Sequence, residues 1–294
     1  MKRSGGAADP FWTEAPLVDE NEIFTELRVK QGSSLFLGRY SANEVLALLN
    51  RKGFFKEARK RFLWPLAYEL DSSGYPLQRL QIFLREPGPD NLIVDVKLKE
   101  CDFATRETVA GLPALPPQKV LAFEWLTLQN PLVKRGEPFS PLPGQIRPGL
   151  SMRSMIMDLF VYVGRLTRKD ALLAFPAYFH NAVLFSRYFH FWDPRKEAEV
   201  LAIRRTFSHM PFHKLAWVVH LNCLRRQDGS VYEWQAEEQL HPLTRPLKEY
   251  FDSRRYKDVV KTAQKALDFA VDRDEFERKS AAIPAFCGSA SILL

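Results

Sequence analysis

The residues best suited to chemistry in this chain of 294 residues are a carboxylate and an imidazole set among apolar neighbours. Glu124 lies inside the apolar run 120–128, between Phe123 and Trp125. A carboxylate flanked by aromatic rings loses hydration, which raises its pKa toward that of a general base. The same position on an alternating strand can equally face solvent and have no chemical task. His180 stands just before a helical segment, where an imidazole can exchange a proton near neutral pH or simply cap the helix. Ser186, further along that segment, could hand on a proton or hold a water, or merely pack.

Other chemistries are less well supplied. His209 and His213 have the spacing of a metal pair on one helix turn, but Pro211 between them opposes a regular helix, and no metal is expected. Cys101, Cys223 and Cys287 are far apart and odd in number, which argues against a disulfide framework and for a reducing, cytoplasmic setting. The phosphate-cradling P-loop and the G-x-S-x-G nucleophile elbow are both absent from the sequence.

The net charge of +7 and pI near 9.3 favour an acidic partner or a phosphate-bearing cofactor. Basic pairs such as Arg204-Arg205 and Arg225-Arg226 are scattered, however, and read as solvated faces. Nucleic acid is therefore not the expected partner. No run approaches the roughly 20 apolar residues of a membrane span, and no apolar segment follows the basic start, so neither a span nor a secretory signal is expected.

The elements that must position these side chains follow from periodicity. Residues 1–30 read as an irregular lead-in, and residues 35–37 as a short strand. Ser41 with Glu44 three residues on is a capping box, opening a helix that Gly53 ends. A second, more basic helix covers 55–62. Strands at 66–70 and 77–84 flank the turn Asp71-Ser72-Ser73-Gly74, and an alternating strand with one more exposed face follows at 92–98. Residues 120–128 form a central strand.

Beyond them lies a long Pro- and Gly-containing loop at 130–148, of a length that is often functional. Met152, Met155, Ile156, Leu159, Phe160, Val163 and Leu166 give one face of a helix over 151–167. A buried strand at 172–177, a helix at 181–189, a hairpin over 215–241 around Asp228-Gly229 and two closing helices complete the order. The fold class is α/β with a mixed sheet.

That order resembles the GNAT superfamily of acyl-CoA N-acyltransferases, with the closest similarity between residues 120 and 191. The family's Q/R-x-x-G-x-G/A loop is approached by Gln145-Ile146-Arg147-Pro148-Gly149-Leu150-Ser151, directly before an amphipathic helix. Gly149 and Ser151 stand at its small positions, while Ile146 falls where the family has Q/R. The family's N-x-x-A-x-x-L-Y-x-x-x-G-F helix is approached through Ala182, Phe185 and Phe191, with Asn181 near its asparagine. Ser186 replaces the tyrosine that donates a proton to the leaving thiolate, and His190 replaces the glycine.

The resemblance implies a mostly antiparallel GNAT-like central sheet flanked by helices over 31–241, with extra C-terminal helices over 242–294. It implies acetyl-CoA or another acyl-CoA as co-substrate. The pantetheine arm would pair with backbone at Leu126, Thr127 and Leu128. The pyrophosphate would meet the segment Gln145, Arg147, Gly149, Leu150, Ser151, Met152 and Arg153, with Asn181 beside the arm. Glu124 or His180 would be the base, and the acceptor an amine of a small molecule or protein. The substituted positions also allow a degenerate domain that binds a ligand or protein without catalysis.

Overall fold

The computed structural model describes residues 28–29, 35–104, 109–112, 114–133, 140–281 and 283. The last residues of the chain, including Cys287, and most of the N-terminal lead-in lie outside the described residues. The lead-in contributes β1 (Arg28–Val29). The strand expected at 35–37 is instead a tight turn: Leu37 takes a positive φ of 51°, and Phe36 bridges back to Tyr40.

Helices begin where the sequence supplies partners for free N–H groups. Ser41 and Glu44 form the capping box of α1 (Ala42–Arg51): the Glu44 carboxylate accepts from the Ser41 N–H at 2.7 Å, and Ser41 Oγ accepts from the Glu44 N–H at 3.3 Å. Gly53, at φ 80°, turns the chain into α2 (Phe54–Lys60). β2 (Leu66–Asp71) and β3 (Leu77–Leu84) then pair antiparallel across the expected turn, where Asp71 accepts from the Ser73 N–H at 3.1 Å. β4 (Leu92–Phe103) is longer than its alternation indicated, and residues 93–96 are buried on both of its faces. Its Asp95 is buried because Arg79 on β3 grips the carboxylate with two bonds of 2.7 Å.

β5 (Gln118–Leu128) leads through the long loop to α3 (Arg153–Leu166), then β6 (Ala171–Ala174), α4 (Phe179–Phe185) and β7 (His190–Phe191). α5 (Pro194–Thr206) has Asp193 as its N-cap and Pro194 in its first turn, a local start signal unaccompanied by a clean apolar stripe. It was not expected from periodicity, since its buried residues lie around the helix rather than on one side. The hairpin expected over 215–241 is corrected. Its first residues belong to α6 (Phe212–His220), which starts after Pro211, and only β8 (Leu224–Arg226) and β9 (Val231–Tyr232) form the hairpin.

β10 (Gln239–Pro242) returns to the main sheet, so the boundary expected at 241/242 falls inside a strand. α7 (Arg245–Asp252), α8 (Arg254–Ala266), β11 (Phe269–Val271) and α9 (Arg273–Ser280) follow. The expected long C-terminal face stops short of Ala270, which pairs with Arg225 in β8.

The fold is thus α/β, with a mixed, mostly antiparallel sheet in the order β1-β2-β3-β4-β5-β6-β10-β7 and a second sheet β11-β8-β9. Among the described strands, β1 with β2 and β5 with β6 run parallel. Residues of β5 and β6 alternate strictly between two cores. Leu121, Phe123, Leu172 and Ala174 join the core under α1, α2 and α3, whereas Val120, Ala122, Ala171 and Leu173 join the one under α7 and α8. A third core ties α4, α5 and α6 to the small sheet. Among the described residues, no helix is long and apolar enough to cross a membrane.

Gly164 lets α3 approach β6 closely: a Cβ there would lie 2.7 Å from side-chain carbons of both Leu172 and Leu243. Alanine elsewhere in a helix is favoured over glycine by about 1 kcal/mol. Here the overlap against buried leucine reverses the sign, and Gly164→Ala is expected to destabilise the protein by about 1–3 kcal/mol. Urea unfolding measures the difference, and a gain in stability would refute the close contact.

Candidate functional site

The pairing of β5 with β6 stops partway along β5. The two strands pair from Val120 with Ala171 to Phe123 with Ala174, and there β6 ends. β5 continues to Leu128 on β4 alone. Beyond it, Gln129 bridges Gly149 of the returning loop, and Asn130 donates to the Pro148 carbonyl at 2.9 Å. Among the described residues, no strand pairs with the β6-facing edge at 124–128. The result is an unpaired stretch of about 17 Å in the interior of the sheet. Alternate N–H and C=O groups of such an edge seek an extended partner. Parallel strands also tend to present ligands at their carboxyl ends, which is where this unpaired stretch lies.

A register shift between Lys97/Leu98 of β4 and Trp125/Phe123 of β5 leaves Glu124 as the extra, bulged residue. Alternation would put Trp125 back inside. The bulge exposes both side chains instead, Trp125 to 54%. Glu124 sits beside the last β5–β6 pair, with Lys99 Nζ at 3.9 Å. Phe175, 48% exposed, follows β6 across the opening. Leu126, Thr127 and Leu128 are half-buried along the unpaired stretch.

The far wall is the loop entering α3. Gln145 accepts from the Leu142 N–H at 3.0 Å, which shapes that loop. Arg147 is buried and internally engaged, with Nη2 3.0 Å from Asp90 and Nη1 donating to the Pro131 carbonyl at 2.6 Å. Leu150 and Met152 turn their side chains into the core, whereas Ser151 and Arg153 are exposed. Ser151 carries a positive φ of 56°, and no side chain caps α3. Gly149 takes ordinary backbone angles, and a Cβ there would meet only the Leu128 carbonyl, at 3.8 Å. Residues 134–139 of this loop lie outside the described residues.

The turn after β6 carries a stack of rings. Tyr178 lies flat on His180 at 5.2 Å and is tilted against His220 at 5.5 Å, while Trp217 meets His220 edge-on at 5.5 Å. Trp217 Nε1 donates to the Pro141 carbonyl at 2.8 Å, tying α6 to the loop. Gly144 makes room for Tyr178: a Cβ there would lie 2.8 Å from the phenol oxygen. Trp234 Nε1 anchors the same turn through the Pro176 carbonyl at 3.0 Å.

His180 is 3% exposed and its Nδ1 has no partner. Burial first, then the nearby His220, pushes its pKa down to about 4. Burial also lowers the pKa of His220. Tyr178, Trp217 and His220 were not singled out by sequence. The last two sat in a segment assigned to a hairpin, and only the nearness of Tyr178 to His180 was available as a signal.

Ser186 caps the C-terminal end of α4 and donates to the Val183 carbonyl at 2.8 Å. Asn181 is half-buried on the first turn of that helix. His190 lies in β7, stacked on Phe251 at 5.1 Å with Glu197 3.5 Å away. The structure therefore gathers Glu124, residues 126–128 and residues 145–153 around one opening and places His180 behind its wall. Pro211 separates His209 from the helix holding His213. Among the described residues, no group of three His, Cys, Asp or Glu could hold a metal. No protein-family model matches the chain, and no curated protein matches it.

The depressed pKa of His180 sets a pH dependence. The unfolded chain takes up a proton below about pH 6.5, whereas the folded state resists it until about pH 4. The contribution of His180 is therefore full above 6.5 and is lost as pH falls between these values, by up to about 3 kcal/mol. His180→Phe is expected to flatten the stability profile between pH 6.5 and 4, as read by urea unfolding at several pH values. An unchanged slope would show that His180 does not carry it.

Proposed function

We propose that this protein is an acyl-CoA-dependent N-acyltransferase of GNAT-like design. The observation that carries the reading is the unpaired edge at 124–128, bounded by Phe123 with Ala174 at one end and Gln129 with Gly149 at the other. An extended pantetheine arm, with amides at strand-like spacing, satisfies such an edge. The backbone from Gly149 to the uncapped start of α3 lies at its outer end and suits phosphate oxygens. Arg153, exposed in the first turn, adds charge there, while Arg147 braces the loop through Asp90.

At the inner end, an amine attacks the thioester carbonyl. A C–N bond forms and the C–S bond breaks. The attacking nitrogen gives up a proton, and the thiolate takes one from solvent. Glu124, at the apex and open to solvent, is the proton acceptor in this reading, directly or through water. His180 is too buried to reach an amine and supports the wall instead. A second reading, a ligand-binding domain without catalysis, is favoured by the internal engagement of Ser186 with Val183.

Isothermal titration with acetyl-CoA and CoA, followed by an amine-acceptor screen, tests the reading. Gly149→Asp places a carboxylate in the phosphate path without backbone strain and is expected to weaken CoA binding at least tenfold. Glu124→Gln is expected to leave binding intact and lower kcat about 100-fold. Binding without turnover for any amine would favour the second reading, and absence of binding at millimolar CoA would reject the transferase reading and leave only a non-catalytic domain with another ligand or a protein partner.

A further inference from the structure

α2 ends in a turn whose central residue is unfavourable twice over. The Leu63 N–H donates to the Ala58 carbonyl at 2.9 Å, and the Phe62 N–H to that of Arg59 at 3.0 Å. These two bonds are the Schellman closure of a helix, in which glycine usually takes the left-handed position. Here Phe62 takes it, at φ 60°. The chain does place a glycine, Gly53, in that conformation at the other end of the same helix. A large side chain strains such a backbone, and Phe62 recovers nothing by burial, since it is 83% exposed. Ala58 and Leu63, the apolar pair that closes the motif, are buried beneath it.

The helix behind that ring is strongly basic. Residues 51–62 hold Arg51, Lys52, Lys56, Arg59, Lys60 and Arg61 against a single acid, Glu57. Lys60 lies 2.7 Å from Glu57 and Arg61 pairs with the same carboxylate, so one negative charge is shared by two cations. Lys56, Arg59 and Lys60 lie on the exposed side of α2, opposite Phe54, Phe55 and Ala58 in the core. Arg59 rests over the Trp64 ring at 4.1 Å and Lys52 over that of Tyr162 at 3.5 Å, contacts that order both groups without neutralising them. The β3–β4 turn brings exposed Arg85 and Glu86 to the same end, through the Arg85 N–H on the Pro65 carbonyl at 2.7 Å, and adds no net charge.

We propose that this end of α2 docks on an anionic lipid bilayer, with Phe62 entering the interface and the surrounding cations resting on the lipid headgroups. A polybasic helix face matches a delocalised negative surface. A ring exposed over most of its area at a helix end suits a fluid apolar layer, whereas base stacking calls for a ring laid flat along a phosphate-binding groove. Insertion also supplies the burial that Phe62 lacks in the protein alone. Each basic residue near such a surface strengthens binding about fivefold, and a partly inserted phenyl ring about tenfold. The proposal is independent of the N-acyltransferase reading.

The test is co-sedimentation of the full chain with vesicles of phosphatidylcholine alone and of equimolar phosphatidylcholine and phosphatidylserine. Binding is expected to the anionic vesicles only, and to be lost near 1 M salt, where the Debye length is about 3 Å. Phe62→Gly relieves the left-handed backbone, so it should leave the Tm unchanged or higher while weakening vesicle binding about tenfold. Phe62→Leu should retain most of the binding. Lys56→Gln combined with Lys60→Gln should weaken it about 25-fold with the fold intact.

Absence of binding to anionic vesicles at low salt overturns the proposal, as does a Phe62→Gly protein that binds them like the wild type. Phe62-dependent binding of a single-stranded oligonucleotide without vesicle binding would assign the surface to nucleic acid and overturn it equally.

Discussion

The structure depends on a single change of partner along β5. From Val120 to Phe123 this strand is buried on both faces and paired on both edges, so its backbone and side chains are fully committed. At Phe123 the β6 edge is withdrawn while β4 continues. An unpaired edge inside a sheet costs hydrogen bonds unless water or an extended ligand supplies them. The bulge at Glu124, the exposed Trp125 and the loop that crosses back toward α3 all lie at or beyond that withdrawal.

The parting is stabilised by what surrounds it. α3 is pulled against β6 at Gly164, while the turn after β6 is held outward by Trp234 and by the ring stack of Tyr178, His180 and His220. Arg147 and Asp90 fix the loop to the β3–β4 turn, and Trp217 fixes it to α6. The C-terminal elements are part of this scaffold rather than an appendage. Leu247, Tyr250, Phe251 and Tyr256 complete the core beneath β5 and β6.

Local signals in the sequence were legible wherever a segment's own residues satisfy its backbone. The Ser41–Glu44 box, the Asp71 turn and the apolar faces of α3 and of the central strand all appear as expected. Legibility failed where tertiary contacts replaced periodicity. α5 is buried on several sides, so no stripe marks it, and the run that forms α6 is apolar enough to read as a strand. β4 gave the appearance of an exposed face because the partner that allows Asp95 to be buried lies on another strand.

The sequence by itself determined the α/β class, most of the element order and the small residues before α3. These depend on contacts within a few residues, which propensity and spacing record. Only the tertiary structure decided that β5 loses its neighbour at Phe123, that a bulge puts Glu124 beside the opening, and that His180 is buried against Tyr178. It alone joined His220 and Trp217 to the site. Those outcomes depend on strand register and on helix packing between residues distant in the chain. A one-residue shift would turn each side chain to the other face, and no local pattern encodes that choice.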